Sequence, residues 1–219
     1  SYYSLNYNLW SESEMVCSFF ISKMKGVGKI ATTGIWKIEK RLDNVIDYTT
    51  NIEKTINSDY GKDSYYDLHN VIDYVEADYK TEKQFYVSGV NCNPKTALEE
   101  MTITKEQYGK TGGILGFHAF QSFAEGEVTP EQCHAIGVRL AEEMWGDRFE
   151  VVVSTHLNTN HYHNHFVINS VSFKDGKRYY DKRETYAELR RLSDSLCEEY
   201  GLSVIKEKPC RNSRINFAN

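Results

Sequence analysis

A chain of 219 residues with 40% hydrophobic content has the make-up of one large globular domain, or of a domain with an appendage. Its net charge of -5 does not advertise nucleic-acid binding, and no apolar run approaches the roughly 18 residues that a membrane span needs. Five cysteines, scattered singly at Cys17, Cys92, Cys133, Cys197 and Cys210, argue against a secreted disulfide framework and for a reducing interior.

Residues 1–25 are rich in Tyr, Ser and Asn without a clean period and read as an N-terminal arm. The apolar stretch MVCSFFISKM within it is too short, and lies too far in, for a signal peptide. Residues 30–38 read as a first strand, followed by a helix over 41–51, a turn-like stretch over 56–64 and a second helix over 66–79. A strand over 84–92, a helix within 93–109 and a strand over 113–123 follow. The next helix, over 125–146, carries its own punctuation. Thr129 is the N-cap, Pro130 the first helical position, Gln132 the capping-box partner and Gly146 the stop. Strands over 149–157 and 161–173 are joined by an Asn-rich turn, KDGK makes a hairpin-type turn, and a helix over 186–202 stops at Gly201. Hairpin-paired strands interleaved with long helices predict an α+β fold, an antiparallel sheet with helices on a face. The main domain is expected over 26–206, with 207–219 as a basic tail or the start of a linker.

Two features stand out against this background. Lys and Arg outnumber Asp and Glu from Lys174 onward, so Lys177, Arg178, Lys182 and Arg183 are candidates for phosphate contact despite the acidic total. The phrase LDNVIDYTTNIEKT (42–55) also returns as LHNVIDYVEADYKT (68–81), placing Tyr48 and Tyr74 at the same position of two copies of one unit.

The chemistry is concentrated in HLNTNHYHNHFVIN. His161, His163 and His165 alternate, so in a strand they share one face, and His156 can swing in from the segment before. Four of the chain's seven histidines lie within ten residues. Unpaired, such crowding would repel at mildly acidic pH, whereas neutral imidazoles together suit a divalent metal. A closed structural zinc site would normally draw on cysteine, so an all-His site with an open position reads as catalytic. HExxH, P-loop and Rossmann fingerprints are missing from the sequence, which disfavours zinc-protease and nucleotide-hydrolysis chemistry. A tyrosine nucleophile attacking a metal-held phosphate fits the residues present.

At these motifs the chain resembles the conjugative relaxases, mobilisation nucleases of the HUH endonuclease superfamily, in particular the P-type class carried by integrative and mobilisable elements of Gram-positive bacteria. The resemblance spans about residues 30–206. It implies a central antiparallel sheet of about five strands, and a metal triad of His156, His163 and His165 with His161 as an alternative or supporting group. Asn158 stands where the family has an Asp. Ser122, in FHAFQSF, and Asn169, closing the third motif, are implied DNA contacts. The nucleophile is implied to be Tyr74 or Tyr48. The short spacing from Tyr74 to the YVSGVNC strand puts it first, and closeness to the first strand favours Tyr48.

The implied activity is nicking of one strand at a transfer origin (oriT), with a covalent 5′-phosphotyrosine link that initiates conjugative transfer. Mg2+ or Mn2+ is the implied metal, though imidazoles also take Zn2+ or Ni2+ in vitro. Implied partners are single-stranded and hairpin DNA, with accessory relaxosome proteins and a coupling protein, in the bacterial cytoplasm. A plasmid replication-initiator nuclease of the same superfamily, and a metal-stabilised DNA-binding module without cleavage, are the alternatives.

Overall fold

The computed structural model describes residues 32–56 and 86–204. In chain order these form β1 (Thr32–Ile38), α1 (Leu42–Thr49), α2 (Ile52–Thr55), β2 (Val87–Val90), α3 (Ala97–Gln107), β3 (Gly116–Ser122), α4 (Pro130–Trp145), β4 (Val151–His156), β5 (His163–Asn169) and α5 (Arg183–Glu199). The strands make one antiparallel sheet in the order β1-β3-β5-β4-β2, the five-stranded α+β arrangement expected from the sequence. The expected helix over 41–51 is α1, ending at Thr49, and a further short helix, α2, follows because the Asn51 side chain accepts a hydrogen bond from the Glu53 amide and starts a new turn. The expected N-terminal arm, the expected basic tail and the expected second helix, with Tyr74, lie outside the described residues.

Every residue of β3, β4 and β5 is buried, because helices cover both faces of the sheet. On one face Phe117, Ala119, Phe166, Ile168, Val151 and Val153 pack against α4 and α5. Helix α4 meets them with Cys133, Ile136, Gly137, Leu140 and Ala141, an apolar stripe at helical spacing. Its start is fixed as the sequence indicates. The Gln132 amide donates to Thr129 Oγ1 at 3.2 Å and the Thr129 amide donates to Gln132 Oε1 at 3.1 Å. On the other face Val152 and Val167 pack beneath α1 (Leu42, Val45, Ile46) and α3 (Ala97, Met101). Each fully buried side chain of this size stabilises the fold by about 1.5–3 kcal/mol relative to exposure.

The register sets where chemistry can occur. His156 lies opposite His163, and Ser122 lies opposite His163 from the other side. Residues directly opposite in an antiparallel pair share a face. One end of the sheet therefore gathers Ser122, His163 and His156, on the face that carries α1. The reverse face of β5 is held by Asn164, between the two histidines. Its Nδ2 donates to the Cys133 carbonyl at 2.8 Å and to Gln121 Oε1 at 3.1 Å, and its Oδ1 accepts from Thr155 Oγ1 at 2.6 Å. Gly137 makes this possible, since a Cβ there would lie 2.5 Å from Asn164 Nδ2. The strand that presents the histidines is thus locked from behind by a satisfied polar network.

Candidate metal centre and tyrosine

His156, His163 and His165 come together at this end of the sheet, each offering one ring nitrogen within 4.8 Å of the others. Their ring centroids are 4.3–5.2 Å apart, and all three are buried. The strand pattern explains the grouping. His163 and His165 are two residues apart on β5, and His156 is the last residue of the neighbouring strand β4.

The hydrogen bonds show which nitrogens remain for a metal. His156 Nε2 is 2.9 Å from the Thr49 carbonyl, and His163 Nδ1 is 2.9 Å from the His161 carbonyl. A carbonyl only accepts, so each of these nitrogens carries the proton and the other one is free to ligate. His165 Nδ1 is 2.9 Å from His118 Nε2, while its Nε2 is buried with no hydrogen-bond partner. An orphaned buried nitrogen, within reach of two further neutral imidazoles, is the donor set a divalent transition ion takes.

Burial is the main cause of the electrostatics. It pushes His156 and His118 down to about 3, and His163 to about 4, with His165 also held well below the ordinary imidazole range. The positive charge of Lys54 acts in the same direction on His156, His163 and His165. The rings are therefore neutral at pH 7, the form that binds metal. A pKa lower in the folded than in the unfolded chain means that the unfolded chain takes up protons first as pH falls. Metal-free protein is thus expected to hold its full stability above about pH 7 and to lose it progressively as pH falls from roughly 6.5 towards about 3, by up to about 1.4 kcal/mol per pH unit for each imidazole. Urea melts across that range check this, and a midpoint that does not move would contradict it.

Tyr48 sits on the triad. Its ring centroid is 5.5 Å from that of His156 and 5.9 Å from that of His165. Lys54 Nζ lies 3.5 Å from the centre of the Tyr48 ring. Local structure accounts for both. Helix α1 buries Leu42, Val45, Ile46 and Thr49 against the sheet, which brings Tyr48 to the sheet end beside His156. The α2 segment is then stitched to the end of β4 by a bond from the Leu157 amide to the Lys54 carbonyl, and to the start of β2 by a bond from the Tyr86 amide to the Thr55 carbonyl.

Several residues singled out in the sequence are placed elsewhere. His161 precedes β5 and does not join the strand face. Its Nδ1 faces the Phe123 carbonyl, and it supports the site through its own carbonyl. Asn158 is exposed in the connection between β4 and β5. Thr49, His161 and His118 hold the outer nitrogens of the triad instead. Asn169, expected at the DNA, is 0% exposed at the other end of β5, about 20 Å from His163 at strand spacing. Its Nδ2 donates to the Met101 carbonyl and to the buried Glu150 carboxylate, so it ties α3 to the sheet. Arg178 donates to the carbonyls of Lys110, Gly112 and Ile114, in the loop that enters β3 at the Asn169 end. Lys177 pairs with Asp175, and Lys182 and Arg183 are exposed at the start of α5. Ser122 alone of the expected DNA contacts adjoins the triad. Sequence reasoning missed His118 and Lys54. His118 had a signal, since it is a histidine on the inward period of a strand and shares a face with Ser122.

The chain is 43% identical over 117 residues to the protein rlx of Staphylococcus aureus, covering 53% of this chain and 37% of that protein. It is 29% identical over 217 residues to the group II intron-interrupted relaxase LtrB of Lactococcus lactis subsp. cremoris, covering 81% of this chain and 38% of the relative. The chain thus spans about two fifths of the length of these relatives. The relaxase domain of MobM, solved bound to oriT DNA and to Mn, shares the fold with a TM-score of 0.50 at 12% identity, covering 82% of this chain and 90% of that one. A family model for the nuclease domain of MobA/VirD2-like relaxases matches residues 53–202, a span that contains Tyr74 and begins after Tyr48. That match takes in more than half of the chain and every strand from β2 to β5, and by it the chain belongs to the MobA/VirD2-like relaxase family.

Proposed function

We propose that this chain is the nicking domain of a mobilisation relaxase, acting in the bacterial cytoplasm on one strand of oriT DNA, with Tyr48 as its nucleophile. The observation that carries the reading is the Tyr48 ring resting against His156 and His165, two of the three imidazoles that can share a metal. His156, His163 and His165 would hold Mg2+ or Mn2+, which when bound polarises a phosphate oxygen and makes phosphorus more open to attack. The Tyr48 hydroxyl gives up its proton to solvent, its Oη forms a bond to phosphorus, and the bond from phosphorus to the 3′ oxygen breaks. That oxygen takes up a proton and leaves as a 3′-hydroxyl, while the 5′ phosphate stays on the protein. One phosphodiester is exchanged for another, so the link keeps the bond energy needed to rejoin the strand.

Three features of the chain support this role. Tyr48 is half-buried at the end of α1, so its ring is fixed by packing while its hydroxyl can meet substrate. Lys54, over that ring, brings a positive charge to the place where a phosphate would lie. Ser122, opposite His163 at the lip of the sheet, would contact the DNA backbone. The MobM relaxase domain, similar in fold, was solved with oriT DNA and Mn, in line with that substrate and metal class. Accessory relaxosome proteins and a coupling protein would complete the assembly around the DNA.

The test is cleavage of a single-stranded oligonucleotide carrying the cognate oriT, with Mn2+ and with EDTA. A product with a free 3′-hydroxyl and a protein-bound 5′ fragment, formed with Mn2+ and lost with EDTA, is the expected result. Binding without cleavage under every metal condition would instead indicate a DNA-binding module.

A further inference from the structure

Among the described residues outside the triad, one buried titratable group touches it. His118, on β3, is 0% exposed. It sits between Trp36, at 4.5 Å between ring centroids, and His165, at 5.0 Å. Its Nε2 lies 2.9 Å from His165 Nδ1, and its own Nδ1 is buried with no hydrogen-bond partner.

The proton assignment follows from elementary rules. A neutral imidazole has one N–H and one lone pair. If His165 gives its partnerless Nε2 to the ion, its proton must sit on Nδ1 and must be donated. The acceptor is then His118 Nε2, which puts the His118 proton on Nδ1, where nothing receives it. An orphaned buried donor is unfavourable, and a phenylalanine would fill much the same space between Trp36 and His165 without carrying one, but it would give His165 Nδ1 no acceptor. The side chain is therefore explained by its other nitrogen rather than by packing.

We propose that His118 is a positioning residue of the metal centre: by accepting the Nδ1–H of His165 it fixes the tautomer and ring plane that present His165 Nε2 to the divalent ion. The proposal rests on the triad reading given above. It also accounts for Asn158. The outer nitrogens of the triad end on two backbone carbonyls and a neutral imidazole, none of them a carboxylate, so no negative partner offsets the charge of an ion bound there. The ion's full charge is left to act on a phosphate.

The experiment is Mn2+ binding to the full chain, measured by calorimetry and by the free-Mn2+ electron paramagnetic resonance signal, in wild type, His118→Phe, His118→Met and His118→Gln. Thermal melts without metal accompany each variant. His118→Phe and His118→Met are expected to remain folded without metal and to bind Mn2+ about 10–100-fold more weakly, the usual loss when an outer partner of a metal-bound His is removed. His118→Gln, whose Oε1 can accept in place of Nε2, is expected to stay within about threefold of wild type on the same scale. Equal Mn2+ affinity in wild type and in whichever apolar variant folds would overturn the proposal and leave the triad intact. Weakening by His118→Gln as large as that by His118→Phe would also overturn it, since the acceptor would then not matter. No Mn2+ binding by wild type would remove the triad reading itself.

Discussion

Tyr48→Phe is expected to abolish the covalent protein–DNA adduct, while Tyr74→Phe leaves it in place. The change removes one oxygen. The phenyl ring stays, so the edge contacts to His156 and His165 and the Lys54 stacking survive, and the fold should melt within about 1 kcal/mol of wild type. Loss of a nucleophile from a preorganised site costs on the order of 10^6 in rate, so no adduct should be seen at ordinary times. The tyrosines are equivalent in the sequence repeat, and Tyr74 lies outside the described residues. Within the described chain, Tyr48 is the tyrosine whose ring meets the triad. Retained adduct in Tyr48→Phe, with loss in Tyr74→Phe, would move the nucleophile and leave the metal site unchanged.

His163→Ala and His165→Ala form the second large expectation. Each removes a ligand rather than an outer partner, so Mn2+ affinity should fall by about 100-fold or more, beyond the loss expected on changing His118. Nicking should fall with it at any practical metal concentration. DNA affinity should hardly move, because it rests on phosphate contacts spread over the surface and each imidazole is buried beneath them. Gel-shift and cleavage assays on the same oligonucleotide separate the two effects. Undiminished nicking by either variant would contradict the site. Both changes open a cavity against β3 and β4, so melting temperatures should be compared as well.

Much of the fold was legible because its signals are local. The capping box at Thr129 and Gln132, the strand over 113–123 and the paired β4 and β5 are each written within a few residues, and the structure places them close to where they were expected. Of the triad, strand periodicity puts His163 and His165 on one face and the short connection brings back His156, but periodicity puts His161 there equally, and it was the family resemblance that implied the set of three. What could not be read was long-range. His118 lies 47 residues before His165, and only the register of β3 on β5 makes them neighbours. Lys54 reaches Tyr48 because α2 is stitched to the end of β4, a pairing with no mark in the sequence. Asn169 shows the converse failure. Motif position pointed to DNA, but a strand has two ends, and this residue is at the end with Glu150 and Met101, where its amide satisfies buried partners. Arg178 misled for a similar reason, because a basic cluster in sequence does not reveal that the guanidinium caps a loop of its own chain.

The account rests on one bond, from a tyrosine oxygen to the DNA 5′ phosphate. Mass spectrometry of the peptide left attached to a nicked oriT oligonucleotide after proteolysis reads that bond directly. The modified peptide should contain Tyr48, carry the 5′ fragment, and appear with Mn2+ but not with EDTA. A peptide modified at Tyr74 would contradict the assignment of the nucleophile, and cleavage that leaves no protein-bound fragment would contradict the tyrosine mechanism as a whole.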